Sequence, residues 1–378
     1  MEVEQKVHFI IQSIIKGLRG SICTNLPNFS CTVNNKLDSN NKVIIVKSYD
    51  NSKFNALRNQ IGLSREHLLD SFQKTYTVKS SLGEVDLNRL MFFTSDFCFV
   101  VKTIKKREKD FLVNLLDEYT NYIAENQNKT LLPLIFGLYR IKFSSTNVKY
   151  IIIMNNLFFS SWLSNKKTYL HEIFDIKGST YRKMLKENAI ECKDIDWINQ
   201  SRKIAITDNN RNEIILQIEK DTKFLMDHCI LDYSLVIGIQ EINYDHFDRN
   251  IRSLFKTYVD ENGSFKELIS TKDSLNEFRT EEIIKHYSSD NVLNKSKNSL
   301  ILSDQNNAKS QNAFYIGIVD ILTNWTFLKS MESFIGTLCC QNISCKNPYE
   351  YRKRLLKMVK THIFNQDNIE ISDSDDVY

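Results

Sequence analysis

Glycine and proline are scarce in this chain, and their scarcity limits the folds that it can adopt. Only 10 glycines and 3 prolines occur in 378 residues. Sandwiches and barrels need many tight turns, which these two residues favour, so the composition argues against an all-β fold and against collagen-like or proline-rich chains. A chain of this length exceeds a minimal domain, which predicts two lobes that each bury a core.

Charge and cysteine content favour a protein of the cell interior. The formal net charge is only +4, so attraction to an anionic partner must come from local basic clusters, and we expect no nucleic-acid partner. The 8 cysteines show no Cys-x-x-Cys spacing, which favours free thiols over disulfides or a zinc site. Because we find neither a secretory signal nor an apolar run of about 18 residues, we expect peripheral membrane contact only.

The first half of the chain mixes helical and strand patterns. Apolar residues recur at helical spacing in 7–18, which predicts an amphipathic helix that ends near Gly17 and Gly20 and packs on the fold or on a second subunit. Residues 28–42 are polar and predict a loop. Strands are predicted at Met91–Phe93, Phe97–Val101, 134–143 and Lys149–Met154, and a helix at 107–125.

The second half alternates ordered and polar segments. A helix is predicted at 210–231, and the unbroken apolar run 314–319 predicts a strand buried on both faces. Residues 286–311 are polar and predict a flexible insertion. With a crossing between lobes near 155–157, these elements predict an α+β fold with an antiparallel sheet and helices in each lobe.

Lys102 and Glu118 form the first candidate pair for chemistry. Phosphoryl transfer needs a cation on the nucleotide phosphates, carboxylates for Mg²⁺ and a group that orients the attacking hydroxyl. Lys102 ends the apolar run Phe99–Val101, and a lysine on a β-hairpin over a cleft could bind such phosphates, although most strand-end lysines are simply solvated. Glu118, about four helical turns further on, could orient the ammonium group.

Two aspartates next to apolar segments are further candidates. Asp320 follows the apolar run 316–319, where a carboxylate suits Mg²⁺ but could equally cap a helix. Asp232 has apolar residues on both sides, and a charge there is costly unless it is paired or bound. Its position favours a role in orienting a substrate hydroxyl or in binding metal.

The segment Asp175–Thr180 combines an acid, a base, a glycine and two hydroxyls. Its sequence runs Asp-Ile-Lys-Gly-Ser-Thr, with Asp175 and Lys177 as the charged groups, and Arg182 and Lys183 follow closely. Such basic groups can bind phosphate oxygens. A generic turn could contain some of these residues, but we interpret the combination as a phosphate-handling site.

The order of these segments resembles the phosphatidylinositol phosphate kinase family over about residues 75–364. The segments that carry the resemblance are Phe99–Ile104, Thr130–Pro133, Phe136–Tyr139, Met154–Phe158, Phe174–Thr180, Asp221 with Phe224 and Leu225, Leu231–Leu235 and Ile316–Leu322. The resemblance implies a two-lobed lipid-kinase fold, distantly similar to protein kinases, that uses ATP and Mg²⁺.

The resemblance also implies a role for each candidate residue. The implied set is Lys102, Glu118, Asn156 and Leu157 for ATP, Asp232, Lys177 and Asp175 for catalysis, Asp320 for Mg²⁺, and Arg182 and Lys183 for substrate phosphate. The segment after the Mg²⁺ ligand, about 323–348, corresponds to the activation loop of the family, which reads the lipid head group.

The expected ring position depends on one residue of this loop. Glu332 matches the glutamate of the enzymes that phosphorylate phosphatidylinositol 4-phosphate at position 5, whereas the 4-kinases of the 5-phosphate carry a small apolar residue there. Lys329 is expected to contact the anionic lipid, and Ser330 stands where the family usually has a second lysine. The missing charge costs about 1 kcal/mol of attraction to an anionic membrane.

A second departure concerns the phosphate loop. The family has a Gly/Ser-rich loop before the Phe-Phe strand, but this chain has Asp-Leu-Asn-Arg-Leu at 86–90, so we expect weak ATP affinity. Three functions stay open: a phosphatidylinositol 4-phosphate 5-kinase, a phosphatidylinositol 3-phosphate 5-kinase, and a catalytically weak phosphoinositide-binding scaffold. A protein kinase is disfavoured because the His-Arg-Asp, Asp-Phe-Gly and Ala-Pro-Glu motifs are absent.

Domain limits and partners follow from the same resemblance. We expect an N-terminal extension with the start of the N-lobe at 1–74, an ATP-binding N-lobe at 75–158, a catalytic and lipid-binding C-lobe at 159–364, and an acidic tail at 365–378. The expected partner is a phosphoinositide in an anionic membrane, at the cytoplasmic face and above all at the plasma membrane. A homodimer through the N-lobe stays open.

Overall fold

The structure is a computed structural model that describes most, but not all, of the chain. The described residues are 15–22, 30–34, 43–72, 75–77, 90–94, 96–126, 129–158, 170–179, 191–204, 208–241, 257–259, 265–267, 300–303, 312–325 and 347–364. The chain forms two compact units, Met1–Tyr169 with Asp245–Leu300, and Leu170–Tyr244 with Ile301–Tyr378. Both combine strands and helices, so the predicted α+β class is confirmed, while the likeness to protein kinases stays a prediction.

The strands and helices are numbered in chain order. The strands are β1 (Ser30–Asn34), β2 (Val43–Tyr49), β3 (Thr75–Thr77), β4 (Met91–Thr94), β5 (Phe99–Ile104), β6 (Ile135–Lys142), β7 (Val148–Asn155), β8 (Leu170–Ile176), β9 (Glu191–Lys193), β10 (Ile230–Leu231), β11 (Ser234–Glu241), β12 (Thr257–Val259), β13 (Phe265–Glu267), β14 (Leu300–Ser303), β15 (Asn312–Val319) and β16 (Thr323–Asn324). The helices are α1 (15–22), α2 (Asn51–Gln60), α3 (Arg65–Ser71), α4 (Lys106–Glu125), α5 (Asp194–Asn199), α6 (Asp208–Asp227) and α7 (Pro348–Met358).

The first unit is built on a 9-stranded sheet with the order β1-β2-β6-β7-β5-β4-β3-β12-β13. Its neighbouring strands pair antiparallel. The central strands β5, β6 and β7 bury apolar side chains in the core of this unit. The predicted strands at Met91–Phe93, 134–143 and Lys149–Met154 are confirmed, with bounds shifted by at most one residue.

Helix α1 packs directly on the sheet of the first unit. A Cβ atom added to Gly17 would lie 2.4 Å from the side chain of Val46 on β2, so only a residue without a side chain allows this approach. Leu18 and Ile22 are buried in the same contact region. The described part of the predicted helix therefore packs on the fold, and it continues past Gly20 to residue 22. Residues 7–14 lie outside the described residues.

Helix α4 confirms the helix predicted at 107–125 and is anchored to the start of β6. Its apolar face, which includes Leu112 and Leu116, is fully buried. The hydroxyl of Tyr119 donates to the Pro133 carbonyl oxygen at 2.6 Å and accepts from the Ile135 N–H at 2.9 Å. These bonds satisfy a buried phenol that would otherwise destabilise the core.

The second unit contains a 5-stranded sheet, β14-β15-β11-β8-β9, and a 2-stranded sheet, β10-β16. β15 and β8 pair antiparallel with β11, whereas β9 runs parallel to β8. Trp197 of α5 packs edge-on against Phe174 of β8, with ring centroids 4.9 Å apart, and its indole N–H donates to the His362 carbonyl oxygen. This contact joins α5, the sheet and the helical turn Val359–Ile363, which contains His362, into one core.

Three predictions of secondary structure are wrong in detail. The polar stretch 28–42 contains β1, because pairing with β2 depends on the backbone and tolerates polar side chains at a sheet edge. The helix predicted at 210–231 is α6, which ends at Asp227 because Cys229 adopts a left-handed backbone with φ 54°; the apolar residues that follow form β10. Within the predicted insertion 286–311, residues 300–303 form β14 beside β15, and the others lie outside the described residues.

The two compact units differ from the predicted domain limits in two places. The division falls after Tyr169 and not after residue 158, and the segment 245–300 joins the first unit. The second difference has a structural reason, because β12 pairs with β3 and extends the first sheet. The acidic tail 365–378 lies outside the described residues. No described helix is long and apolar enough to cross a membrane.

Candidate active site

Two aspartates of the second unit lie in neighbouring linkers. Asp232 follows β10, and Asp320 follows β15. The last residue of β10 pairs with the first of β16, and the first residue of β11 pairs with the last of β15. The linkers 232–233 and 320–322 therefore run side by side between the same two strand pairs, and the fold brings two aspartates that are far apart in sequence into neighbouring linkers.

Both aspartates adopt a left-handed backbone. The φ angle is 60° at Asp232 and 62° at Asp320. Such angles cost a non-glycine residue on the order of 1 kcal/mol, although Asp and Asn tolerate them better than most, and they concentrate at functional sites. Asp232 is half-buried and Asp320 is exposed, so the second carboxylate can reach solvent and a ligand.

Lys177 connects the predicted Asp175–Thr180 segment to these linkers. Its Nζ atom donates a hydrogen bond to the backbone carbonyl oxygen of Asp232 at 2.9 Å. The structure thus brings Lys177 and Asp232 together, as their assignment to one catalytic group requires.

The turn after β8 has a structural role that the sequence did not indicate. The carboxylate of Asp194 accepts from the Lys177 N–H at 3.1 Å and from the Gly178 N–H at 2.6 Å. Gly178 has φ 71°, and a Cβ atom there would lie 2.6 Å from the carbonyl oxygen of Arg354 on α7. The turn was interpreted as a phosphate-handling site, but within its described part these two N–H groups and the glycine serve the packing of the turn, because a protein carboxylate occupies the donors.

Asp175, at the end of β8, is paired with a lysine. Lys193 Nζ lies 2.5 Å from the Asp175 carboxylate, across the parallel pairing of β8 and β9. Burial raises the pKa of the Asp175 carboxyl, but the hydrogen bond and charge of Lys193 outweigh it, so the pKa lies below its ordinary value. Asp175 is therefore ionised at neutral pH and neutralised by Lys193.

Replacing Lys193 with Met should destabilise the fold in a pH-dependent way. The loss leaves a largely buried carboxylate without its cation, so the free energy of unfolding should fall by about 2 kcal/mol at pH 7. A lowered folded-state pKa stabilises the fold above the unfolded pKa of about 4, and the effect disappears as the pH falls through the folded value. The difference between wild type and Lys193→Met in urea unfolding should therefore shrink at acid pH.

Lys203→Met is the matched control for this prediction, since Lys203 is exposed in the same unit. It removes the same charge and should change the free energy of unfolding by no more than about 0.5 kcal/mol. An equal loss of unfolding free energy in Lys193→Met at pH 7 and at acid pH would contradict the assigned ion pair.

Lys102 occupies a different place on its strand from the one predicted. It was expected to end a strand, but β5 continues two residues further, and Lys102 pairs with Met91 on one side and Ile152 on the other. Glu118 is exposed on α4, where its charge helps raise the pKa of Lys53 after the larger effect of Asp117. The pairing of Lys102 with Glu118 stays a prediction.

Asn156 has structural partners on both sides of its amide. Its Nδ2 group donates to the Phe97 carbonyl oxygen at 2.8 Å, and its Oδ1 atom accepts from the Phe158 N–H at 3.1 Å. Its backbone N–H also bonds to the Cys98 carbonyl oxygen. The buried side chain therefore ties the end of β7 to the β4–β5 turn, and Leu157 next to it is half-buried.

Four predicted lipid-contacting residues cannot be placed. Arg182, Lys183, Lys329 and Glu332 lie outside the described residues, and their roles stay predictions.

A buried His–Asp–Cys group closes the β4–β5 turn in the first unit. His67 Nε2 lies 3.7 Å from the Asp96 carboxylate and 3.8 Å from Cys98 Sγ, which brings three potential metal ligands together. Asp96 also accepts from the Ser71 and Thr94 hydroxyls and from the Cys98 N–H. These hydrogen bonds already satisfy the carboxylate, so the group is explained as the anchor of the turn that leads into β5.

Lys193, Asp194 and Arg354 support the site but were not identified from the sequence. They stand 16 or more residues from the turn that they contact, as the hydrogen bonds show. The only local sequence signal for Lys193 and Asp194 is that this Lys-Asp pair begins a short helix, and an aspartate is an ordinary residue at a helix start.

Comparisons with known proteins point to one family. A family model described as Phosphatidylinositol-4-phosphate 5-Kinase matches residues 71–362. A probable phosphatidylinositol phosphate kinase of Dictyostelium discoideum is 29% identical over 350 residues, which cover 84% of this chain and 47% of the relative. A phosphatidylinositol 4-phosphate 5-kinase of Schizosaccharomyces pombe is 26% identical over 353 residues, which cover 84% and 46%.

A further relative is named for a different ring position. The phosphatidylinositol 5-phosphate 4-kinase type-2 alpha of Mus musculus is 28% identical over 335 residues, which cover 83% of this chain and 77% of the relative. The chain spans about half the length of the first two relatives. Overall similarity therefore does not separate the two kinds of kinase.

Proposed function

The chain belongs to the phosphatidylinositol-4-phosphate 5-kinase family, and from this premise we propose that it phosphorylates phosphatidylinositol 4-phosphate at the 5-hydroxyl, with ATP, to give the 4,5-bisphosphate. The observation that carries the proposal is the pair of adjacent linkers with Asp232 and Asp320, the first of which is bonded to Lys177. Family kinases need these residue types in one place.

Two aspartates in adjacent linkers fit a site for Mg²⁺ with ATP. Carboxylate oxygens are the ligands that Mg²⁺ prefers, and Asp320 is exposed. When bound, ATP would supply the phosphoryl group and Mg²⁺ would neutralise part of the negative charge on its phosphates. We assign Asp320 to hold the metal and Lys102 to contact the nucleotide phosphates. Because the side chain and the backbone N–H of Asn156 already have hydrogen-bond partners, nucleotide contacts there are assigned to the Asn156 carbonyl oxygen and to the backbone of Leu157.

Asp232 is assigned to the inositol hydroxyl. A carboxylate beside the metal ligand can orient the 5-hydroxyl and accept its proton. The Lys177 ammonium keeps the backbone of Asp232 in place through the Asp232 carbonyl oxygen, and Asp175 lies two residues before Lys177, at the end of β8. Arg182, Lys183 and Lys329 are assigned to the phosphate of the substrate and to the anionic lipids around it.

The choice of the 5-hydroxyl rests on Glu332. The relatives include one named as a 4-phosphate 5-kinase and one named as a 5-phosphate 4-kinase. The choice between these two activities therefore depends on the match of Glu332 to the glutamate of the 5-kinases. A 3-phosphate 5-kinase and a catalytically weak phosphoinositide-binding scaffold are the alternatives. The setting proposed with this activity is the cytoplasmic face of an anionic membrane, above all the plasma membrane, and a homodimer through the first unit is compatible with it.

Initial rates on the three monophosphorylated phosphoinositides test the ring position. We expect the 4-phosphate to react faster than the 3- and 5-phosphates, with the 4,5-bisphosphate as product. Glu332→Ala should reduce this preference over the 5-phosphate by about tenfold or more, since a charged contact to one substrate is lost. Thin-layer separation of radiolabelled products measures both quantities.

Glu350→Ala serves as the control, because Glu350 is a half-buried glutamate in the first turn of α7 with no role assigned in substrate or nucleotide binding. It should leave the preference unchanged. Faster reaction of the 3-phosphate in the wild type would identify the 3-phosphate 5-kinase, and faster reaction of the 5-phosphate would reject the 5-hydroxyl as the acceptor. ATP-independent lipid binding without product would identify the scaffold.

A further inference from the structure

We propose that Asp194 is a positioning residue for phosphoryl transfer, which acts by holding Lys177 against the backbone of Asp232. This inference rests on the proposed function, and it concerns a residue outside the Asp175–Thr180 segment. The hydrogen bonds of the Asp194 carboxylate go to the turn after β8, and its effect is transmitted through that turn.

The carboxylate of Asp194 is nearly inaccessible, with 3% exposure. Placing a charge in such a site costs free energy unless hydrogen bonds compensate. Asp194 accepts from the N–H groups of Lys177 and Gly178, so the compensation comes from the turn itself. Burial raises the pKa of the Asp194 carboxyl above its ordinary value, although those N–H groups oppose the shift. The buried carboxylate is therefore compensated only while the turn keeps the conformation that directs these two N–H groups at it.

The same turn is held from its other side by α7. Arg354 Nε donates to the Lys177 carbonyl oxygen at 3.2 Å, and Gly178 packs on the α7 backbone. Lys177 thus has its N–H bonded to Asp194 and its carbonyl bonded to Arg354. With the backbone held at both groups, the direction in which the side chain leaves the turn is restricted.

The Lys177 side chain carries this restriction to the reacting groups. Its ammonium donates to the carbonyl oxygen of Asp232 at 2.9 Å, at a residue with φ 60°. That peptide lies between β10 and β11, in the linker beside the one that holds Asp320. A shift of Lys177 would release a strained residue, and a displacement of about 1 Å in a catalytic group can cost about 100-fold in rate.

A purely structural role for Asp194 is the alternative, since it is the first residue of α5. The two roles differ in one respect. If Asp194 acts through Lys177, its removal should have little effect once the Lys177 ammonium is gone. If it only stabilises the fold, the two replacements should act independently.

A double-mutant cycle in the full chain separates these roles. Asp194→Asn keeps the side-chain size but presents an amide group to the turn, and Lys177→Met removes the ammonium while keeping the apolar stem. We expect Asp194→Asn to lower kcat by about 10- to 100-fold on phosphatidylinositol 4-phosphate in anionic vesicles. In the Lys177→Met background the same change should lower kcat by less than about twofold.

Asp196→Asn is the matched control on the same helix. Asp196 accepts from the Lys193 N–H at 2.8 Å, a capping bond that does not involve the turn. This variant should lower stability as much as Asp194→Asn or less and leave kcat within about twofold of wild type. The proposal would be overturned if Asp194→Asn lowered kcat by the same factor in the wild-type and Lys177→Met backgrounds. It would also be overturned if Asp196→Asn lowered kcat as much as Asp194→Asn does.

A second readout does not require activity. Acetylation of Lys177 by acetic anhydride, followed by mass spectrometry, reports how firmly its ammonium is held. We expect Asp194→Asn to raise the Lys177 labelling rate several-fold, with the rate at exposed Lys203 unchanged. An unchanged Lys177 rate would overturn the positioning role. A wild-type chain inactive on every phosphoinositide would instead reject the proposed function, and the labelling rate would still decide the role of Asp194.

Discussion

Asp320→Asn should lower kcat by about a thousandfold and leave the protein folded. The replacement removes the carboxylate charge that is assigned to hold Mg²⁺. A bound metal ion stabilises the transition state by several kcal/mol, and about 1.4 kcal/mol corresponds to a tenfold change in rate. Asn tolerates the left-handed φ of 62° as well as Asp does, and the side chain is exposed. The measurement pairs phosphoinositide kinase rates with thermal unfolding followed by circular dichroism.

Asp227→Asn provides the comparison for this variant. Asp227 is an exposed acid in the same unit that forms an ion pair with Lys223, four residues earlier on α6, and such pairs contribute about 0.5 kcal/mol or less. Its kcat should stay within about twofold of wild type. Retention of a tenth or more of wild-type activity by Asp320→Asn would contradict the metal assignment.

Gly178→Ala should produce the largest loss of stability among the single changes considered. A left-handed backbone costs alanine about 1 to 2 kcal/mol. The new Cβ atom would also lie 2.6 Å from the Arg354 carbonyl oxygen and 2.8 Å from the Leu355 nitrogen, which are backbone atoms of α7 and cannot rotate away. Overpacking adds about 1 to 3 kcal/mol, so we expect a total loss of about 3 kcal/mol and a lower melting temperature by circular dichroism.

Gly62→Ala isolates the backbone contribution. Gly62 has φ 77°, close to that of Gly178, but no atom lies within 4 Å of its Cβ position. This variant should lose only about 1 kcal/mol. Equal destabilisation by the two replacements would mean that the contact with α7 has no energetic role.

Local patterns were sufficient to predict the elements that bury apolar side chains. The strands β4, β6, β7 and β15 and the helix α4 were identified because their residues must leave water at strand or helical spacing. Asp232 and Asp320 were identified for a related reason, since a carboxylate next to apolar residues requires a partner or a ligand.

Features that depend on distant residues were missed. β1 has a polar sequence and becomes a strand only because β2 pairs with it. The end of α6 depends on the left-handed Cys229, which no local rule demands of a cysteine. Lys102 was placed at a strand end because the sequence does not reveal how far pairing with β7 extends.

The turn at Lys177 and Gly178 shows the same limit in the site. Its composition indicated phosphate binding, because it combines an acid, a base, a glycine and two hydroxyls just before Arg182 and Lys183. In the structure, the N–H groups of Lys177 and Gly178 do bind an anion. The anion that they bind is the Asp194 carboxylate, 16 or more residues away in the chain. Only the folded structure supplies that partner, and with it the reason for a glycine against α7.

One measurement tests the central claim most directly. The wild-type chain is incubated with Mg²⁺, ATP labelled at the γ-phosphate and vesicles that contain phosphatidylinositol 4-phosphate, and the lipid is then deacylated and its ring position determined. The account predicts label at the 5-position of the inositol ring, in an amount that Asp320→Asn reduces to the level of a blank without protein. Label that remains in ATP or inorganic phosphate, with none in lipid, would contradict it.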